Sequence, residues 1–186
     1  MPTSSAVDFV ASALNIPCFE TPTGWKFFGN LLDSNLITIC GEESFGTGSN
    51  HVREKDGLWA VLYWLQILAV KNCSVSELIQ NHWKKYGRNY YSRHDYEAIP
   101  SDIANKIFNN LSSKLQSLKG NKFASTLVKG ADNFSYVDPV DNSISKNQGL
   151  RIILEDNSMV ILRLSGPGTK GSTFRLYFEK FASSQE

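Results

Sequence analysis

The fold of the first half is decided by residues 36–49, whose sequence is LITICGEESFGTGS. The apolar, β-branched run Leu36–Cys40 is typical of a buried strand. Three glycines, two acids and three hydroxyl side chains follow it. Open α/β sheets bind ligands in loops at the carboxyl ends of their strands. The stretch therefore predicts an α/β unit with a candidate site directly after its strand.

Helical patterns lie on both sides of this stretch. Ser5–Leu14 predicts a short helix. Residues 58–70 repeat apolar side chains at helical spacing, which predicts a buried helix with its tryptophans in the core. Ser74 and Glu77 are spaced as a capping box and predict another helix that ends near Gly87.

The second half of the chain is richer in strands. Residues 90–96 predict an extended segment, and Ser101 is placed to cap the helix that follows. Residues 150–154 and 159–164 predict a β-hairpin, and residues 172–178 predict a last strand. One helix followed by antiparallel strands is an α+β arrangement.

Length and composition are those of a globular protein of one or two domains. The 186 residues are 41% hydrophobic and 20% charged. We expect an incomplete α/β domain with a mixed sheet in residues 1–93. An α+β domain of one helix and an antiparallel sheet, truncated at its C-terminus, is expected in residues 94–186.

Charge and hydropathy argue against several kinds of partner. Lys and Arg number 19 and Asp and Glu number 18, so no bulk charge indicates a nucleic-acid partner. The longest apolar stretch is well short of the roughly 20 residues of a membrane span. The N-terminus lacks the pattern of a secretory signal. These features predict a cytoplasmic chain without a membrane span.

Glu42, Glu43 and Ser44 form the first candidate site. Carboxylates accept charge-assisted hydrogen bonds from the neighbouring hydroxyls of a polyol. Paired acids beside glycines also occur in ordinary surface turns. The residues alone leave both interpretations open.

The charged segment of residues 51–57 is the second candidate. Arg53 and Lys55 could neutralise a phosphate, and Lys55 could donate a proton if it is partly desolvated. A solvated loop in which Asp56 caps the next helix is the alternative. His51 stands in no recognisable motif that supplies the nucleophile and the acid of a catalytic triad.

The third candidate, residues 163–175, is the strongest anion-binding pattern. Arg163 and Arg175 bracket a loop with three glycines and several hydroxyls. Guanidinium groups and backbone N–H groups could both contact a phosphate there, although the nucleotide P-loop pattern is absent. A glycine-rich connection between the last two strands is the alternative.

Several segments together resemble one family. ETPTGWKFF at residues 20–28, CGEESFGTG at 40–48 and REKDGLWA at 53–60 closely resemble eukaryotic phosphoglucomutases of the α-D-phosphohexomutase family. DPVD at residues 138–141, NQGLR at 147–151 and the loop of residues 163–175 continue the resemblance in family order. The resemblance covers essentially the whole chain, as most of a third domain and part of a fourth.

The resemblance implies roles for individual residues. Glu42 and Ser44 would hold sugar hydroxyls, and Thr23, Gly24 and Lys55 would lie beside the substrate. Lys55 is also the catalytic candidate, for proton transfer or charge stabilisation. The phosphate-binding loop would contain Arg163, Ser165, Gly166, Gly168 and Arg175. Pro167 replaces the family's usual threonine, which removes a hydroxyl and a backbone donor from that loop.

The resemblance also implies a reaction, the interconversion of glucose 1-phosphate and glucose 6-phosphate through glucose 1,6-bisphosphate, with Mg²⁺ in the complete enzyme. The family's phosphorylated serine and magnesium loop belong to its first and second domains, which have no counterpart in this sequence. Phosphoryl transfer needs such groups, so the chain alone is expected to bind no cofactor and to be inactive.

Two other interpretations stay open. A non-catalytic sugar-phosphate-binding or protein-interaction module derived from phosphoglucomutase would not need the missing segments. An incomplete gene model or a cloned fragment would lack them as well. In the complete enzyme, the partners would be the sugar phosphate and the missing first and second domains.

Overall fold

A computed structural model describes residues 1–165 and 171–183, which divide into two units. The first unit contains Met1–Asn89, Val137–Ser143 and, among the described residues, 182–183. The second contains Tyr90–Tyr136 and Ile144–Phe181. Val137–Ser143 therefore belongs to the first unit although it interrupts the sequence of the second.

The helices and strands of the described residues follow in chain order. The helices are α1 (Ala6–Leu14), α2 (Trp25–Asp33), α3 (Gly57–Lys71), α4 (Val75–Tyr86) and α5 (Ser101–Lys114). The strands are β1 (Ile39–Gly41), β2 (Thr47–Ser49), β3 (Arg88–Ile99), β4 (Lys122–Phe123), β5 (Thr126–Asn133), β6 (Tyr136–Val137), β7 (Ile144–Ser145), β8 (Leu150–Leu154), β9 (Met159–Leu164) and β10 (Ser172–Ala182).

The core of the first unit is built on α2, a helix that the sequence pattern does not predict. Phe27, Phe28, Leu31 and Leu32 are buried along one side of this helix. Phe28 and Leu32 pack against Cys40 of β1. Strand β1 pairs antiparallel with β2, so the β1–β2 hairpin is anchored to the helix through the buried strand residue.

Helices α3 and α4 begin at the predicted caps. The Asp56 carboxylate accepts a hydrogen bond from the Trp59 backbone N–H at 2.8 Å and caps α3. At α4, Ser74 and Glu77 form both hydrogen bonds of a capping box, and Gly87 ends the helix with φ +85°. The predictions for both caps are confirmed.

The prediction that residues 58–70 form a buried helix is half wrong. The helix exists as α3, but none of its residues is buried, and Leu58 and Val70 are 72% and 75% exposed. Trp64 is 44% exposed instead of lying in a core. Helical spacing identifies an apolar face without showing whether another element covers it. Within the described residues, no single helix could span a membrane, and α3 and α4 meet that test only as a pair bent by 82°.

Residues 137–143 are tied to the first unit through Asp138, which is 1% exposed. Its Oδ2 accepts a hydrogen bond from the Asn30 side chain at 3.1 Å, across 108 positions of sequence. Its Oδ1 accepts a hydrogen bond from the Val140 backbone N–H at 2.9 Å. A buried carboxylate requires such partners, so this contact fixes the returning segment on α2.

The second unit is a curled six-stranded sheet with the strand order β3-β10-β9-β8-β5-β4. The neighbours from β10 through β4 pair antiparallel. Ala104 of α5 packs in one cluster with Leu150, Leu162 and Phe174 of three central strands. The predicted class, an α/β unit followed by an α+β unit, is confirmed, as is the β8–β9 hairpin.

Other details depart from the sequence-based expectation. The strand predicted over Leu36–Cys40 begins only at Ile39, and Leu36 and Ile39 are 41% and 53% exposed. Strands β2 and β5 are not predicted, and β10 continues past the expected end to Ala182. Ser101 is the first residue of α5 instead of its cap, and its hydroxyl accepts a hydrogen bond from the Ser172 hydroxyl at 3.1 Å.

Candidate functional site

The first candidate site lies in the short loop of the β1–β2 hairpin. The Glu42 N–H donates to the Gly46 carbonyl at 2.9 Å, and the Phe45 N–H donates to the Glu42 carbonyl at 3.1 Å. These bonds hold the five-residue loop 42–46 between the paired residues Gly41 and Thr47. The loop therefore fixes the backbone from which the Glu42 side chain projects.

Glu42 carries a carboxylate that is surrounded by hydrogen-bond donors. The side chain is only 8% exposed, and it forms an ion pair with the half-exposed Lys55 amine. The Ser44 hydroxyl donates to the same Oε1 atom at 2.6 Å. Burial alone would raise the pKa of Glu42, but the hydrogen bonds from Lys55 and Ser44 outweigh it and hold that pKa below 4.5. The carboxylate is thus kept ionised at neutral pH.

Two glycines of the hairpin leave room for neighbouring side chains. A Cβ added at Gly46 would lie 2.9 Å from Glu42 Oε1 and 3.0 Å from Lys55 Cδ. A Cβ at Gly48 would lie 2.7 Å from the ring of Trp25. Glycine at both positions therefore lets the ion pair and the indole ring approach the backbone.

The turn before α2 brings Thr23 and Gly24 to this hairpin through Trp25. Gly24 has φ +129°, a conformation that favours glycine. The Thr23 hydroxyl and the Trp25 indole N–H are buried and complete no hydrogen bond with the described residues. The indole N–H is nevertheless near enough to Glu42 to help lower the pKa of that carboxylate.

Trp25 is a site residue that the sequence analysis does not identify. It begins α2, packs edge-on against Phe28 with ring centroids 5.4 Å apart, and lies against Gly48. The sequence holds a signal for this contact, because a Gly-x-Gly hairpin strand has space on one face for a large ring.

The segment before α3 uses its charges in different ways. Arg53 donates from Nε to Asp33 at 2.6 Å and from Nη1 to the Asn50 carbonyl at 2.9 Å. Arg53 is thus held by two groups of the protein, and its neutralising a phosphate stays a prediction. Lys55 instead points to Glu42 and joins the first candidate site.

The third candidate site lies in the second unit, where Arg163 and Arg175 are directly opposite each other on β9 and β10. The Arg163 Nη1 donates to the Tyr177 hydroxyl at 3.2 Å. Arg175 Nε lies 3.5 Å from Asp95 Oδ2, and the other carboxylate oxygen pairs with Arg93 at 3.1 Å. Two guanidinium groups are therefore presented side by side at the end of the hairpin.

Asp95 and Tyr177 are site residues that sequence reasoning misses. The alternation of Arg93 and Asp95 on one extended segment places both on the same face, which is a readable signal. The partner strand of that segment cannot be deduced from its own sequence. The pairing of Asp95 with Arg175 becomes visible only in the sheet order, where β3 lies next to β10.

Ser165 closes the described part of the β9–β10 connection. Its hydroxyl and its N–H both donate to the Thr173 carbonyl, at 3.2 and 3.0 Å. Gly171 has φ +107°, and a Cβ there would lie 2.8 Å from the Ile99 carbonyl. The expected loop residues Gly166 and Gly168, and the departure at Pro167, lie outside the described residues.

A metal site would need several His, Cys, Asp or Glu side chains close together. Within residues 1–165 and 171–183, no three His, Cys, Asp or Glu side chains come together in a group that could hold a metal ion. These parts of the chain therefore do not supply three such ligands to one metal ion.

Family models match both parts of the chain. The model described as "Phosphoglucomutase/phosphomannomutase, alpha/beta/alpha domain III" matches residues 1–86, and the model described as "Phosphoglucomutase-1, C-terminal domain" matches residues 88–186. Phosphoglucomutase of Rhizobium radiobacter is 60% identical, and human phosphoglucomutase-1 is 54% identical, each over 97% of this chain. The chain spans 33% of the length of each.

A solved structure agrees with these relatives. The open-form crystal structure of the Paramecium exocytosis-sensitive phosphoprotein pp63/parafusin, a phosphoglucomutase, matches 100% of this chain with 55% identity and a TM-score of 0.89, over 33% of its own length. A Thermus thermophilus structure with 19% identity and a TM-score of 0.64 shows the same fold. The chain therefore belongs to the phosphoglucomutase family.

Proposed function

We propose that this chain supplies sugar and phosphate binding to the interconversion of glucose 1-phosphate and glucose 6-phosphate through glucose 1,6-bisphosphate. The proposal is supported most by the Glu42 carboxylate, which is buried yet kept ionised by Lys55 and Ser44. In a longer protein of the family, further domains would supply the transferred phosphoryl group.

Glu42 and Ser44 would hold the hydroxyls of the sugar. An ionised carboxylate offers about four acceptor positions, and the bonds from Lys55 and Ser44 use only part of them. The buried Thr23 hydroxyl supports the same role, because an unsatisfied buried hydroxyl is costly until a ligand or water completes its hydrogen bond. Gly24 would let the substrate approach the adjacent backbone.

Lys55 would transfer a proton to a sugar oxygen or stabilise negative charge on it. Its ammonium group has three donor hydrogens, so the pairing with Glu42 leaves capacity for a substrate oxygen. The half-exposed position also keeps the amine within reach of a ligand. The same carboxylate would therefore orient both the sugar and the candidate catalytic group.

Arg163, Ser165 and Arg175 would bind the phosphate, together with Gly166 and Gly168. The two opposed guanidinium groups support this role, because planar N–H forks match phosphate oxygens in bidentate geometry. Tyr177 and Asp95 hold the two arginines from the protein side. Mg²⁺ would belong to the complete enzyme, and no step of this proposal passes through it.

Titration calorimetry of the chain with glucose 1-phosphate tests the proposal. Glu42→Gln and Arg175→Ala should each weaken binding by about tenfold or more, the loss expected for a charge-assisted hydrogen bond. Glu54→Gln, in the same charged segment as Lys55, is the matched control and should bind normally. Unaltered affinity in both site variants would refute the assignment.

A coupled assay with Mg²⁺ on the same chain separates binding from catalysis. We expect no turnover, because the chain has no phosphorylated serine segment to donate a phosphoryl group. Measurable turnover would show that the binding groups and the chemistry reside together in these residues.

A further inference from the structure

A line of hydrogen bonds joins Ser49, His51 and Asp56 beside the first candidate site. The Ser49 hydroxyl lies 2.6 Å from His51 Nδ1, and His51 Nε2 lies 2.9 Å from Asp56 Oδ2. The His51 ring also stacks on the ring of Trp59, with centroids 5.6 Å apart. The three residues are thus connected although no triad motif is visible in the sequence.

This line does not form a nucleophile. Ser49 is only 8% exposed, so its hydroxyl is not available to attack a substrate. Asp56 has a second task, because its Oδ1 accepts the capping hydrogen bond from the Trp59 N–H. The arrangement therefore acts as a connection between strand β2, on which Ser49 lies, and the first turn of α3.

The hydrogen bonds of His51 hold both ends of the segment of residues 51–56, which carries Lys55. At the N-terminal end of this segment His51 bonds to Ser49 of β2, and at the C-terminal end Asp56 follows Lys55 directly. The Asp56 N–H also donates to the Thr47 carbonyl at 3.2 Å. Since β2 pairs with the strand that precedes Glu42, these bonds fix the backbone of Lys55 relative to the carboxylate that its amine contacts.

We propose that His51 is the positioning residue of Lys55, holding its amine against Glu42. Imidazole suits the task because a rigid ring carries a donor on one side and an acceptor on the other. In the tautomer that this role requires, Nε2–H donates to the Asp56 carboxylate and Nδ1 accepts from the Ser49 hydroxyl. The hydrogen bond from His51 is also the main cause that lowers the pKa of Asp56, which keeps this acceptor ionised.

The use of this positioning in sugar chemistry rests on the proposed function, whereas the contact between His51 and the Lys55 segment does not. The positioning itself is tested by competitive acetylation of lysine amines with trace acetic anhydride, read out by mass spectrometry. In His51→Ala, the reactivity of Lys55 relative to Lys119 of the other unit should rise about fivefold, because the amine spends less time paired. His51→Gln, which retains a donor towards Asp56, should restore most of the difference.

His82→Ala is the matched control, because His82 packs on Tyr86 within α4 and should leave Lys55 unchanged. Unchanged Lys55 reactivity in folded His51→Ala would overturn the proposal. If that variant does not fold, nitrogen NMR of the unsubstituted chain decides: a neutral ring protonated at Nε2 is required, and one protonated at Nδ1 overturns it.

Failure of the proposed function gives a different result. If the unsubstituted chain binds no glucose 1-phosphate, the proposed function fails, while the acetylation experiment still decides whether His51 positions Lys55.

Discussion

The two candidate regions place their charges by different means. Around Glu42, the carboxylate, hydroxyl and amine come from one short stretch, residues 42–55, folded over a hairpin with small glycines. Around Arg175, the charged groups come from strands β3, β9 and β10, which are distant in sequence. The first region depends on local close packing, and the second depends on the register of a sheet.

Gly48→Ala should break the first region and give the largest loss of stability. The added methyl would lie 2.7 Å from the Trp25 ring, so the indole or the strand must move. We expect a loss of about 2 kcal/mol in the free energy of unfolding, within the range of about 1–3 kcal/mol for overpacking substitutions. Urea unfolding followed by tryptophan fluorescence reports this directly, because all four tryptophans lie within residues 1–89.

Gly29→Ala is the matched control for that substitution. A Cβ at Gly29, within α2, meets nothing within 4 Å, and alanine favours a helix over glycine by up to about 1 kcal/mol. This variant should therefore be unchanged or slightly more stable. An unchanged midpoint in Gly48→Ala would show that the Trp25 ring is not packed tightly against the hairpin.

Ser74→Ala gives a smaller effect and sharpens the comparison, because it lies outside both candidate regions. It removes the hydroxyl of the α4 capping box, and the expected loss is about 1 kcal/mol. The measurement is the same urea titration, paired with glucose 1-phosphate affinity. Reduced stability with normal affinity is expected, whereas a loss of affinity would mean that the binding region depends on α4.

The smallest effect concerns the pH dependence of the first region. The folded pKa of Glu42 lies below the ordinary 4.5, so its stabilisation is complete above that pH and is lost as the pH falls through the folded pKa. Lys55 is half exposed, and solvent screening limits the contribution to less than about 1 kcal/mol.

Glu42→Gln should therefore reduce the slope of unfolding free energy against pH below pH 4.5. Urea titrations across this range measure the slope, and Glu54→Gln serves as the control. An identical slope in Glu42→Gln would mean that the pairing with Lys55 does not contribute to stability.

The same contrast explains what sequence reasoning achieves here. The caps of α3 and α4 and the β8–β9 hairpin are predicted correctly because each depends on residues close in sequence. The burial of residues 58–70 is predicted wrongly because it depends on what covers the helix. Likewise, the closeness of Glu42 and Ser44 in sequence predicts that they belong to one site, whereas nothing in the local sequence predicts the pairing of Asp95 with Arg175.

The contact between Asn30 and Asp138 orders the assembly of the chain in time. During synthesis, α2 leaves the ribosome long before Asp138 is made. The Asn30 side chain therefore cannot form its hydrogen bond to Asp138 until 108 further residues have been added. The intervening residues include Tyr90–Tyr136 of the other unit, whose early strands must already be made. The first unit is therefore the first to begin folding, but it cannot be completed until part of the second has been synthesised.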